Sequence, residues 1–168
     1  MIRLLVMTVF PVLVAYAAIS DFRTRRIPNW LNLTIAAAFF PLALMTGMEL
    51  GQIGWHLAAF GAAFVLGLVI FFTGLAGGGD AKLLPAVAIW IGWNQHLMDM
   101  LLYTAIIGGV LGGLTLLWRA LRLEADVWAG GTAMKKLFTW EMTFPYGIPI
   151  AAAALIVYPA TRWGEFLF

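Results

Sequence analysis

Polar positions are so sparse along this chain that they act as punctuation between apolar runs. The runs extend from Leu4 to Ser20, Trp30 to Met48, Ile53 to Leu75, Leu83 to Leu97, Met100 to Trp118 and Tyr146 to Trp163. A helix needs about 20 apolar residues to cross the hydrocarbon core of a bilayer. In lipid every backbone N–H and C=O must be satisfied within the chain, which a helix achieves residue by residue. The pattern therefore predicts an all-α, polytopic membrane protein, a bundle of about six transmembrane helices, with the fourth span the shortest. The only long polar stretch, Arg119 to Phe144, mixes charges with Leu123, Trp128, Phe138 and Trp140. It reads either as a segment lying along the membrane surface or as a solvated loop, and Gly130-Gly131 would break any helix there in two. No soluble domain can be carved out, so residues 1–168 read as a single integral-membrane domain.

Composition agrees with the pattern, since 63% hydrophobic and 11% charged residues with a mean hydropathy of +0.94 do not fit a soluble domain of 168 residues. The charges then orient the bundle. Arg23, Arg25 and Arg26 follow the first span, Lys82 precedes the fourth, and Arg119, Arg122, Lys135 and Lys136 lie between the fifth and sixth. With six spans all of these fall on one face, leaving Arg3 and Arg162 on the other with Glu49, Asp99 and Glu165. Lys and Arg concentrate in cytoplasmic loops, so both termini are expected outside, with Asp21 and Asp80 at the cytoplasmic boundary.

Arg3, the short apolar run and Ala15-Tyr16-Ala17 imitate a cleaved signal peptide. Export would, however, carry Arg23, Arg25 and Arg26 outward, against the charge bias. With no cysteine, disulfides, thiolate zinc sites and a cysteine nucleophile are excluded. The net charge of +2 follows from membrane orientation and gives no case for nucleic acid.

Several features have structural readings. Gly108, Gly109, Gly112 and Gly113 form overlapping Gly-xxx-Gly pairs that permit close helix approach. Trp30, Trp55, Trp93, Trp118 and Trp163 stand near span ends, as interfacial anchors do. Pro11, Pro41, Pro85, Pro149 and Pro159 are expected to kink spans. His56 and His96 fall toward the outer face, away from the acids, so no metal or general-base role is assigned to them.

The acids carry the chemistry. Asp80 stands in Gly77-Gly78-Gly79-Asp80-Ala81-Lys82-Leu83-Leu84, wedged between glycines and an apolar helix, and Asp21 stands where the first apolar run ends. An acid at the edge of a membrane span needs a reason to be there. The glycine run lacks the Lys-Ser/Thr of a phosphate loop and the preceding strand of a dinucleotide fold. Its glycines leave the backbone bare, so that an extended peptide could approach the carboxylate; the alternative is a linker before an ordinary helix-capping Asp. Two carboxylates about 4 Å apart repel by about 4 kcal/mol at an effective dielectric near 20, or roughly three pKa units. One would hold its proton near neutral pH and the other would stay ionised, the division that general acid–base catalysis uses. The pair titrates as a unit, so the roles stay interchangeable. Lys82 reads either as a charge balance for the pair or as a positive-inside anchor.

Together the two motifs resemble those of the type IV prepilin peptidases, polytopic aspartic proteases of the inner membrane. These are related through a Gly-x-Gly-Asp motif to presenilin-type proteases. The resemblance rests on Asp21 followed by Ile27-Pro28-Asn29, on Gly77 to Leu84 opening a later span, on the six-span layout, and on Phe144-Pro145-Tyr146-Gly147-Ile148-Pro149 before the last span. It implies Asp21 and Asp80 as catalytic aspartates, and Gly77, Gly78, Gly79, Lys82, Pro28 and Asn29 as motif-supporting or substrate-binding residues. It implies neither metal nor cofactor.

Larger members carry a cysteine-rich zinc insertion and often N-methylate the new pilin terminus. This chain lacks the insertion and is similar to the short form that accompanies tight-adherence, Flp-type pili, which puts methyltransferase activity in doubt. The implied substrate is a prepilin whose basic leader is cut at the cytoplasmic face of the bacterial inner membrane. Two other classes remain as alternatives: a transporter or channel subunit using the acids as a proton relay, which should hold them near the bilayer midplane, and a non-catalytic assembly protein, which would tolerate their loss.

Overall fold

The computed structural model describes residues 2–74, 77–128 and 146–166. Among them are six α-helices and no strand: α1 (Ile2–Thr24), α2 (Asn29–Met45), α3 (Leu50–Phe72), α4 (Gly78–Ile91), α5 (Gln95–Trp128) and α6 (Gly147–Val157). Two 3₁₀ turns follow, Tyr158–Ala160 and Arg162–Phe166. The chain is an all-α membrane bundle.

Helix α4 is the axle. Every residue from Leu83 to Ile91 is buried, as expected of a helix that is apolar all round. It packs against α3, α2 and α6, while α1 closes the far side of α6 and α5 leans chiefly on α6. Fourteen residues make a helix about 21 Å long, short of the about 30 Å hydrocarbon core. Because protein surrounds α4, its length need not match the bilayer. The enclosing helices turn large apolar side chains outward, such as Leu4, Val12, Leu33, Val65, Phe72, Ile106 and Leu116. In water such a surface would drive aggregation; in lipid it is matched to its solvent. Three of the helices, Ile2–Thr24, Leu50–Phe72 and the Gln95–Trp118 part of α5, are long and apolar enough to cross a membrane.

Several expectations change. The fourth span ends at Ile91 rather than Leu97, because Gly92 adopts a left-handed φ of +80° and the Asn94 side chain then accepts the His96 N–H, starting α5 early. Helix α5 continues past Trp118 to Trp128, so the first part of the Arg119–Phe144 stretch extends span five; the rest, from 129 to 145, lies outside the described residues. Of the four glycines of α5 only Gly108 makes a close approach, to Tyr146 and Pro149; Gly109, Gly112 and Gly113 face open space. The tightest helix contact is instead Gly67 of α3 on the Ala81 carbonyl of α4. Pro149 sits in the first turn of α6, where a missing N–H costs nothing, and Pro159 stands in the 3₁₀ turn after it; neither interrupts a span.

Trp163 is not an interfacial anchor. It is fully buried, donates its indole N–H to the Trp90 carbonyl at 2.7 Å, and packs on Trp90 and Phe39. Trp30, Trp55, Trp93 and Trp118 are exposed, as anchors are. His56 is a core residue: its Nδ1–H donates to the Ile89 carbonyl at 2.6 Å, joining α3 to α4.

Candidate active site

The last turn of α1 carries Asp21, and its exit is tightly scripted. Arg25 takes a left-handed φ of 51°, its N–H donates to the Asp21 carbonyl at 2.8 Å, and the Ser20 and Thr24 hydroxyls both donate to the Arg26 carbonyl. The first bond satisfies one of the orphan carbonyls that a helix end leaves, and the two hydroxyls tie Arg26, past the helix end, back onto the last turn. The return delivers Ile27, 5% exposed, into the interior. Pro28, in extended backbone at φ −61°, precedes the first residue of α2, Asn29.

The glycine-rich motif meets this turn directly. A Cβ on Gly79 would stand 3.2 Å from the Ile27 nitrogen and 3.4 Å from its Cβ. The bareness of Gly79 lets α4 dock closely onto the α1–α2 turn. Gly78 is exposed, and a Cβ added there would meet only the Phe71 ring, at 3.5 Å. Gly77 caps α4 and donates its N–H to Asp80 Oδ2 at 3.2 Å. Lys82 does not face the acids: its Nζ donates to Asn29 Oδ1 at 2.9 Å, tying α4 to the start of α2.

Both acids are buried, Asp21 at 4% and Asp80 at 5% exposure. What joins them comes from the far end of the chain. Gly147, the first residue of α6, donates its N–H to Asp21 Oδ2 at 2.9 Å across 126 residues of sequence. Asp80 lies close enough to feel both the charge of Asp21 and the dipole of this amide, although its own hydrogen bond comes from Gly77. The first N–H groups of a helix have no partner within it, so the α6 N-terminus supplies a donor, and the positive end of its dipole, between two carboxylates. Asp80 stands ahead of the apolar run of α4. Burial first, and then the Asp21 charge, push its carboxyl up to about 7, against the opposing pull of the Gly77 and Gly147 amides. Only glycine fits at 147: a Cβ there would lie 2.6 Å from Asp21 Oδ2 and 2.9 Å from Ile27 Cδ1.

Beside Asp80 opens a cavity of about 430 Å³, walled by Leu66, Ile70, Leu84, Leu101 and Ile150 from α3, α4, α5 and α6. Asp80 Oδ1 is buried without a hydrogen-bond partner. No cluster of three or more potential metal ligands occurs among the described residues.

The structure thus brings Asp21, Asp80, Gly77, Gly79, Pro28, Asn29 and Lys82 into one neighbourhood, with Gly78 at its edge. The roles of Gly147 and Ile27 were missed. Both lie in stretches the sequence flagged, but nothing in the sequence says that a backbone amide from the last helix meets an acid on the first.

Fold and site together define a helical membrane protein with a buried pair of carboxylates arranged around one helix N-terminus. A model of the Type IV leader peptidase family matches residues 8–113, which include both aspartates, and the chain belongs to that family. It is therefore a membrane peptidase. No curated protein and no solved structure matches it.

Proposed function

We propose that the protein is an aspartic endopeptidase that removes the basic leader of prepilins, with Asp21 and Asp80 as its two catalytic groups. The observation that carries this reading is the pair of buried carboxylates, Asp21 held by the Gly147 N–H and Asp80 feeling its charge, in a chain of this family. Asp80, with its carboxyl near 7, keeps a proton at neutral pH and acts as the acid, while Asp21, hydrogen-bonded by Gly147, acts as the base.

Water gives a proton to the Asp21 carboxylate as its oxygen bonds the scissile carbonyl carbon, and the Asp80 proton passes to the carbonyl oxygen. Collapse of the tetrahedral species breaks the C–N bond: one of its two hydroxyls returns a proton to Asp80 as the carbonyl re-forms, and the proton held by Asp21 leaves with the amine. Only one of the two carboxyls is charged at the start, which is why the pair is placed where mutual repulsion and burial keep them unlike.

The distribution of Arg23, Arg25, Arg26 and Lys82 against Glu49 and Asp99 supports a cytoplasmic site in a bacterial inner membrane. The lack of a cysteine-rich insertion supports the short, Flp-pilus type of substrate.

The test is cleavage of candidate prepilins by purified protein and by its Asp21→Asn, Asp80→Asn and doubly substituted variants. Each single variant should lose leader removal at unchanged protein level, and the double variant should be no worse than either, as for groups acting as one unit. Asp99→Asn and Glu49→Gln should be nearly silent. Near-normal processing by either single Asn variant would sink the aspartic mechanism and leave the relay and assembly alternatives.

A further inference from the structure

Threonines within helices spend their hydroxyls in one way in this protein. From Thr8, which donates to the Leu4 carbonyl at 2.6 Å, to Thr115, which donates to Leu111 at 2.7 Å on α5, each of the other described threonines bonds a carbonyl three or four residues back. Thr104, also on α5, is the exception. Its Oγ1 is buried and has no hydrogen-bond partner, and the residue lines the cavity beside Asp80. A buried hydroxyl that forgoes the carbonyl available on its own helix costs stability and calls for an explanation.

The second orphan on the same cavity is Asp80 Oδ1. Apart from Tyr146 the other walls are aliphatic or small, and Thr104 Oγ1 and Asp80 Oδ1 are the buried side-chain atoms of the lining left without a partner for a polar group of an occupant. The volume, about 430 Å³, is close to that of one turn of helix with its side chains, a cylinder of about 10 Å by 5.4 Å, or roughly 420 Å³. An occupant of that size offers three or four apolar side chains to the walls and its main chain to the polar atoms.

We propose that this cavity is the subsite for the apolar residues flanking the scissile bond, and that Thr104 is a substrate-positioning residue whose hydroxyl hydrogen-bonds the substrate main chain. The proposal rests on the peptidase reading above. It adds a residue that neither motif contains and that α5 brings to the site only in the folded bundle. Once a bond to substrate exists, the orphan hydroxyl is satisfied, so its cost in the free protein becomes part of the discrimination for a bound peptide.

A structural threonine and a substrate-binding one predict opposite signs for the same substitution. Thr104→Val keeps the shape and deletes the hydroxyl. In detergent or nanodiscs its melting temperature should equal or exceed that of the wild type, since a buried unpaired group is removed. Its affinity for a synthetic prepilin peptide spanning the cleavage site, measured by fluorescence anisotropy in an uncleaving Asp21→Asn background, should fall about tenfold. That factor corresponds to about 1.4 kcal/mol, one hydrogen bond. In the cleaving background the loss should appear in KM more than in kcat, and Thr104→Ser should restore both. Unchanged affinity in Thr104→Val overturns the inference, as does a lower melting temperature with no rescue by Ser. Wild-type cleavage, run in parallel, separates the two claims: a wild type that binds the peptide through Thr104 without cutting it refutes the peptidase reading alone.

Discussion

Gly147→Ala is the sharpest perturbation the site allows, because it adds one methyl group and leaves both aspartates in place. The new Cβ would lie 2.6 Å from Asp21 Oδ2, 2.9 Å from Ile27 Cδ1 and 3.0 Å from Asp21 Cβ, whereas ordinary contact begins near 3.4 Å. The Asp21 carboxyl, or the start of α6, must retreat by about 0.8 Å, the difference between 3.4 and 2.6. The 2.9 Å bond from the Gly147 N–H is lost or lengthened with it. Misplacing a reacting group by about 1 Å can cost on the order of a hundredfold in rate, equivalent to about 2.7 kcal/mol of barrier. Single-turnover cleavage of a prepilin in proteoliposomes should therefore slow by about two orders of magnitude. The control is Gly112→Ala on α5, where a Cβ meets nothing within 4 Å; it should cleave normally. If Gly147→Ala cleaves within about threefold of wild type, the amide is not part of the site and the geometry argued for the pair is wrong.

Gly79→Val should impair both cleavage and thermal stability, by about 1 to 3 kcal/mol for an overpacked contact, because it drives into the Ile27 backbone, whereas Gly78→Ala should be tolerated at its ordinary 3.5 Å contact; equal sensitivity at both positions would favour a flexible linker. In a pH series, kcat/KM should fall as pH rises through about 7, where Asp80 loses its proton. The stability term has the same sign: the folded protein favours protonated Asp80, so that contribution is fully present below the ordinary value of 3.8 and is lost as pH rises through about 7. Asp80→Asn should abolish this pH dependence of stability, and a wild-type activity profile level from about pH 6 to 9 would count against the assignment. For topology, a cysteine placed at Thr24 should resist an impermeant thiol reagent added to intact cells while one at Gln52 reacts; the reverse labelling would invert the proposed orientation.

Placement of the two motifs was legible in the chain because each is local. Asp21 to Asn29 forms one helix end and one turn, and Gly77 to Lys82 forms one helix start, so residue type and spacing announce them. The glycines were legible as a motif but not in what they pack against, since a Cβ on Gly79 or Gly147 would meet Ile27 and Asp21, neighbours set by packing. The ends of α4 and α5 were misjudged for a similar reason. The fourth span expected from sequence runs across Asn94-Gln95-His96 to Leu97, whereas the left-handed Gly92 ends α4 and the Asn94 side chain starts α5 there.

Apolar periodicity and the near absence of charge determined by themselves that this protein is an all-α membrane bundle, because lipid leaves the backbone no other way to satisfy its hydrogen bonds. Residue chemistry likewise nominated Asp21 and Asp80, since isolated acids are costly beside a bilayer. Tertiary structure alone decided that the amide of Gly147 holds Asp21 beside Asp80, that Lys82 holds Asn29 instead of balancing their charge, that Trp163 is buried, and that the Thr104 hydroxyl is left without a partner on the cavity wall. Each of these joins groups on different helices or depends on a side-chain rotamer. Such choices are settled by how the helices pack, and apolar sequence, which tells a helix that it is in lipid, says little about which neighbour it faces.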